Sequence, residues 1–109
     1  MRVSQISLLF LAAAFAVAPA SAQDRWAERR GEQLLSKHCA MCHAIGRRGN
    51  SPHRQAPPFR TLAKRYPIES LSEALGEGLY TGHPDMPEFV FAPADIGAIL
   101  AYLHSIQEP

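Results

Sequence analysis

The stretch Cys39-Ala40-Met41-Cys42-His43 decides how the rest of this chain is interpreted. Two cysteines at positions i and i+3, followed directly by a histidine, are typical of covalent c-type haem attachment. In a near-helical chain, a separation of three residues allows the two thiols to reach the two vinyl groups of one porphyrin. The adjacent imidazole can then approach the iron from the same side. We therefore predict thioether bonds from Cys39 and Cys42, and an iron ligand at His43.

The same two cysteines are compatible with three other kinds of site. A structural zinc site needs four ligands, usually from two such pairs, and the chain contains two cysteines in all. A thioredoxin-like redox dithiol is typical of a βαβ unit, and the sequence shows no strand pattern that could build one. A plain disulfide between Cys39 and Cys42 is the third alternative.

The N-terminal residues 1–22 have the pattern of a secretory signal peptide. Arg2 supplies a positive charge, residues 6–17 are apolar except for Ser7, and Ala20-Ser21-Ala22 matches a cleavage site. The apolar run would span about 18 Å as a helix, short of the roughly 30 Å hydrocarbon core, which argues against an uncleaved anchor. We predict cleavage after Ala22, export to a bacterial periplasm, and no stable membrane insertion of the mature chain.

Residues 23–109 are then enough for one small domain. Domains of this size have a limited apolar core and commonly need a cofactor or cross-link, so a buried porphyrin would supply missing apolar mass. All ten basic residues after the signal lie between Arg25 and Arg65, whereas seven of the ten acidic residues follow Pro67. Residues 23–109 thus have a formal net charge of zero, which gives no reason to expect nucleic-acid binding. The asymmetry indicates either ordinary solvated surface or a dipole that orients docking.

The periodicity of apolar residues predicts helices separated by loops. The first helix is capped by Asp24 and runs to about Lys37, with Trp26 on its apolar stripe. A short helix begins at Pro58 and ends before residue 67, a third covers 68–79, and Pro93 opens the last. Glycine and proline mark residues 46–58 and 82–87 as loops. The sequence therefore predicts an all-α fold of three to five helices around one covalently bound haem.

A methionine or histidine is the usual donor on the far side of such a haem. Met41 lies inside the attachment motif and is directed away from that side, which leaves Met86 as the methionine candidate. Pro84 and Pro87 stiffen its loop and reduce the entropy lost on binding. A core methionine at position 86 and ligation by His83 are the alternatives. The remaining three histidines are expected elsewhere: His38 cannot reach the far side, while His53 and His104 are predicted to be solvated.

The sequence as a whole resembles the class I c-type cytochromes, over nearly all of residues 24–107. The resemblance implies that Met86 is the distal ligand and that the carbonyl of Pro57 accepts the Nδ1 proton of His43, with Phe59 beside it in the haem pocket. The neighbouring Pro58 leaves the choice between the two prolines open. The resemblance further implies that Gly31 and Tyr102 lie where the first and last helices cross. The resemblance rests on features that follow one another along the chain: the glycine-bearing helix, the pentapeptide, the loop proline, Met86-Pro87 and the final helix.

The resemblance implies an electron carrier whose iron cycles between Fe(III) and Fe(II), and not an enzyme. Its expected partners are redox proteins that dock transiently, and the chain would be a monomer or a subunit of a redox complex. Two alternatives stay open. The chain could be a permanent cytochrome subunit of a periplasmic dehydrogenase or oxidase, or a haem enzyme or gas-binding protein with a labile distal ligand.

The attachment motif yields the first testable prediction. Protein isolated from the periplasm should contain one covalently bound haem c per chain, because both thiols and the imidazole are present in the required order. The pyridine haemochrome assay measures this directly. Finding no haem would contradict every function considered above.

Overall fold

The computed structural model describes residues 15–17, 19–78 and 83–109. Its α-helices are α1 (Ala20–His38), α2 (Leu71–Glu77) and α3 (Pro93–Ile106). Two 3₁₀ helices, Phe59–Lys64 and Ile68–Ser70, lie between α1 and α2. The described residues include no strand, so the all-α prediction is confirmed. Within the same ranges, no helix combines the length and apolarity needed to cross a membrane.

The fold depends on a close crossing of α1 and α3 at Gly31. A Cβ built on Gly31 would lie 2.1 Å from the carbonyl oxygen of Ala98 and 2.8 Å from Cβ of Tyr102. Only a residue without a side chain allows the two backbones to approach this closely. The crossing inferred from the resemblance is therefore present. Its tightest neighbour is the backbone of α3 at Ala98 rather than the aromatic ring of Tyr102.

The core lies between these two helices and the short helices that cover them. Pro93 occupies the first turn of α3, as predicted, and Asp95 lies near the positive end of that helix. Asp95 also accepts from Arg30 of α1 at 3.1 Å, on the partly exposed rim of the crossing. The buried core residues are Leu34, Leu35, Phe59, Leu62, Ile68, Leu75, Ile96, Ala98, Ile99, Tyr102, Leu103 and Ile106.

The start of α1 differs from the sequence prediction. The helix begins at Ala20 after Pro19, so Asp24 lies inside it and is not its cap. Residues 20–23 include alanine and glutamine, which favour helix, and the helix continues through the predicted cleavage site. Trp26 is 65% exposed and does not belong to the buried stripe. Residues 1–14 and 18 of the predicted signal peptide lie outside the described residues, and the boundary at Ala22 stays a prediction.

The two middle helices are shorter than predicted. Pro58 is the cap of the 3₁₀ helix Phe59–Lys64 and not its first residue. The helix predicted over 68–79 is a 3₁₀ turn followed by α2, and α2 ends at Glu77 because Gly78 has a φ of +117°. A backbone with this φ strains any residue that has a Cβ, so a glycine is favoured at position 78. Residue 79 lies outside the described residues.

The crossing leads to a prediction about two glycines. Gly31→Ala should lower the free energy of unfolding, since over-packing costs about 1–3 kcal/mol and a clash with backbone is at the upper end of that range. Gly97→Ala is the matched control, because Gly97 also lies in a helix but has nothing within 4 Å of its Cβ position.

Gly97→Ala should stabilise the protein by up to about 1 kcal/mol through helix propensity alone. Denaturant unfolding of the two variants should therefore give shifts of opposite sign. Equal or higher stability of Gly31→Ala would contradict a backbone-to-backbone crossing at this position.

Candidate haem-binding site

The cysteine motif forms the turn directly after α1. The amide of Cys39 donates to Leu35 O at 2.8 Å and so completes the last turn of the helix. The carbonyl of Cys39 then accepts from the amides of Cys42 at 3.1 Å and His43 at 2.9 Å. These bonds keep the motif in the tight, near-helical path that brings both thiols and the imidazole to one end of α1.

The chemistry of the two thiols separates the alternatives raised by the sequence. Cys39 and Cys42 are both reduced and partly buried, so no disulfide joins them. Burial, together with the nearby Cys42, raises the pKa of the Cys39 thiol to about 11. A thiol with so little thiolate at neutral pH is a poor redox nucleophile. No group of three or more His, Cys, Asp or Glu suited to a metal ion occurs in the described part of the chain.

The imidazole of His43 is oriented by the loop that follows the motif. Its Nδ1 lies 2.8 Å from the carbonyl oxygen of Pro57. The carbonyl can only accept, so the hydrogen is on Nδ1 and Nε2 is the nitrogen left for a metal. Such a bond holds the ring in place and makes the metal-binding nitrogen more basic. Of the two prolines left open by the sequence, Pro57 is the one in contact with His43.

Phe59 covers the same imidazole. The two ring centroids are 4.5 Å apart, with the planes tilted by 33°, and Phe59 is 8% exposed. Its amide donates to Ala44 O at 2.9 Å, which joins the 3₁₀ helix to the residue after His43. Gln107 holds the other side of this helix: its side chain donates to Phe59 O and accepts from the amide of Ala63, both at 2.8 Å. Gln107 was not predicted as part of the site, because a polar residue after the last helix carries no local signal of such a role.

Met86 is half-buried at the end of a turn, in which its amide donates to His83 O at 3.2 Å. The chain after it returns to the core, where the amide of Phe91 donates to Leu75 O at 2.8 Å. Phe91 also packs edge-on against His38, with centroids 5.5 Å apart. The segment that follows Met86 therefore lies alongside His38, the residue that precedes Cys39.

The remaining histidines differ partly from their predicted surroundings. His53 was predicted to be solvated, and it is partly exposed: its side chain is 29% accessible, and its Nε2 lies 3.1 Å from Oδ2 of Asp85. The basic loop therefore folds back against the Met86 turn. His104 is half-exposed, as expected, and lies 2.8 Å from Glu69. The ring of His83 contacts Gln55 through Nε2, and the amide of Asp85 donates to its Nδ1 at 3.3 Å.

The arrangement fits a covalently bound haem. Two reduced thiols, one imidazole presenting Nε2 and a thioether on a separate segment are the donor set that such a group requires. The hydrogen bond to Pro57 O supports this fit, since metal-binding histidines nearly always donate their other nitrogen to a carbonyl or carboxylate.

Comparisons with known proteins agree with this geometry. The family model described as "Cytochrome c" matches residues 28–107. Cytochrome c-552 of Bradyrhizobium diazoefficiens is 31% identical over 77 residues, which cover 71% of this chain and 72% of that protein. No solved structure matches the chain significantly.

The packing on His43 leads to a prediction about Phe59. Phe59→Ala should lower the free energy of unfolding by about 3–5 kcal/mol, because a buried ring is lost and a cavity remains beside the imidazole. Tyr66→Ala is the control: Tyr66 follows the same 3₁₀ helix and is 38% exposed.

Tyr66→Ala should change the stability by about 1 kcal/mol or less. Denaturant unfolding of both variants measures the difference. Similar losses for the two aromatic residues would show that Phe59 has no special place in the core.

Proposed function

Since the chain belongs to the cytochrome c family, we propose that it carries electrons in a bacterial periplasm, with its haem iron held between His43 and Met86. Family membership itself makes the chain a c-type cytochrome, an electron-transfer protein with covalently attached haem c. The fit of Cys39 and Cys42 to the attachment motif assigns them the two thioether bonds. The two iron ligands and the periplasmic location are what we propose in addition to family membership.

One observation supports the proposed ligation most directly, the 2.8 Å contact between His43 Nδ1 and Pro57 O. It orients the imidazole and leaves Nε2 as the nitrogen that can bind iron. When bound, the haem supplies an iron that exchanges one electron between Fe(III) and Fe(II). Phe59 excludes water from the histidine side, and the thioether of Met86 would favour the reduced state and raise the potential.

The proposed compartment is supported by the N-terminal sequence. A positive residue, an apolar run and an A-x-A site precede the domain. Export also suits a chain whose two cysteines serve covalent attachment and not a thiolate function. On this proposal, cleavage after Ala22 removes residues 20–22, the first three residues of α1, and leaves Gly31 and its crossing intact.

Partners are proposed to be redox proteins that dock briefly. Met41 is 88% exposed beside Cys42 and offers an apolar contact next to the attachment site. The basic residues of the domain lie between Arg25 and Arg65. Three of them, Arg30, Arg60 and Lys64, are paired with acidic residues of the second half. The other exposed basic residues are Arg25, Arg29, Lys37, Arg47, Arg48, Arg54 and Arg65. These residues could steer an acidic partner and would do so less at high salt.

The ligand proposal is tested by two methionine substitutions. Met86→Ala should abolish the weak far-red absorption band of methionine-ligated ferric haem, allow carbon monoxide to bind the ferrous protein, and lower the midpoint potential. Met41→Ala is the matched control, since Met41 is the other methionine of the mature chain and projects into solvent.

Met41→Ala should leave the spectrum, carbon monoxide binding and potential unchanged. Absorption spectroscopy and redox titration of both variants provide the measurement. Retention of the far-red band in Met86→Ala would exclude Met86 as the ligand, and carbon monoxide binding by the unmodified ferrous protein would favour an open distal site.

A further inference from the structure

Two surface loops that are far apart in sequence contact each other through two histidines, and both histidines use their ring nitrogens in the same way. His53 accepts at Nδ1 from the amide of Gln55 at 3.1 Å, and its Nε2 lies 3.1 Å from Asp85 Oδ2. His83 accepts at Nδ1 from the amide of Asp85 at 3.3 Å, and its Nε2 contacts Gln55 Oε1. Each histidine therefore bonds within its own loop through Nδ1. Through Nε2 it contacts the other loop, at the residue two positions after the other histidine.

This pattern determines where the hydrogens lie. An Nδ1 that accepts from a backbone amide must present a lone pair, so the neutral ring has its hydrogen on Nε2. Nε2 then donates to the oxygen of the opposite loop, a carboxylate for His53 and an amide oxygen for His83. The two rings also meet edge-to-face, with centroids 5.4 Å apart. The contact is thus reciprocal and directional.

Backbone bonds connect both sides of this contact to the proposed haem site. On one side, the amide of His53 donates to Cys42 O at 3.1 Å, next to His43. On the other side, the amide of Met86 donates to His83 O at 3.2 Å and closes the turn that carries Met86. The two histidines consequently link the attachment motif to the Met86 turn through hydrogen bonds.

We propose that His53, Gln55, His83 and Asp85 form a latch that keeps Met86 on the iron and slows its replacement by other ligands. The proposal rests on the proposed ligation by Met86. The four side chains are positioning residues: they do not touch the iron, but they restrict how far the Met86 turn can move from the motif. Losing one hydrogen bond of this kind should raise the population of the open turn about twofold to tenfold.

Imidazole is a suitable probe, because it binds ferric haem only when the distal ligand has left. In the complete holoprotein, His53→Ala should bind imidazole about twofold to tenfold more tightly than the unmodified protein. His53→Gln should restore much of the original affinity, since its amide nitrogen can still donate to Asp85. Asp85→Ala should match His53→Ala, and the double variant should add little to either single one.

His104→Ala is the matched control. It removes a similar histidine–carboxylate pair, His104 with Glu69 at 2.8 Å, from a part of α3 that does not bridge the two loops. Denaturant unfolding should give similar small losses for His53→Ala and His104→Ala, whereas only His53→Ala should change imidazole affinity. If His53 only stabilised the fold, His53→Ala would change imidazole affinity no more than His104→Ala does.

The outcomes distinguish failure of the latch from failure of the proposed ligation. If Met86→Ala binds imidazole much more tightly but His53→Ala behaves as the unmodified protein or as His104→Ala, the latch is overturned and ligation by Met86 stands. If Met86→Ala binds imidazole no more tightly than the unmodified protein, ligation by Met86 is wrong, and the proposed role of the latch is overturned with it.

Discussion

The close approach of α1 and α3 at Gly31 is the constraint on which the rest of this small domain depends. With the Ala98 carbonyl 2.1 Å from the position of a Gly31 Cβ, the two helices pack backbone against backbone. The segment directly after the cysteine motif lies against the C-terminal half of α3. Tyr102 of α3 strengthens the arrangement by donating its hydroxyl to Ile45 O at 3.0 Å, two residues after His43.

The histidine side of the site is supported from several parts of the chain. The carbonyl of Pro57 orients His43, and Phe59 packs on its ring. The 3₁₀ helix that begins at Phe59 is in turn held by the C-terminus, where Gln107 bonds to Phe59 O and Glu108 pairs with Arg60 at 3.0 Å and Lys64 at 2.9 Å. Hydrogen bonds from Lys64 and Arg60 lower the pKa of the exposed Glu108 carboxyl. A short helix with little core of its own is thereby held against the ligand it supports.

The methionine side is built differently. Among the described residues 83–91, Phe91 packs against the buried core. Polar contacts to the loop of His53 connect the segment to the motif. Exposed polar contacts are individually weak, so this side of the site is the one expected to open first. The contrast between a packed histidine side and a hydrogen-bonded methionine side is consistent with the role proposed for the latch.

Much of the site could be predicted from local sequence, because covalent attachment requires particular residue types at fixed spacing. The pentapeptide was of this kind. The all-α class and the proline that opens α3 followed from periodicity and local turn residues, and the glycine at the crossing was implied by the family resemblance. Other features of the site depend on interactions between distant residues. His53 was predicted to be solvated in a basic loop, and its contact with Asp85 leaves its side chain 29% exposed. The cap predicted at Asp24 was wrong because the preceding residues also favour helix.

The sequence alone therefore determined the haem-attachment chemistry and the helical periodicity, both of which are written in neighbouring residues. Tertiary structure decided that Pro57 and not Pro58 supports His43, since the choice depends on which carbonyl the folded loop turns toward the ring. It also joined His53-x-Gln55 to His83-x-Asp85 across about thirty residues. No spacing rule predicts such a pairing, because it exists only once the chain has folded around the attachment motif.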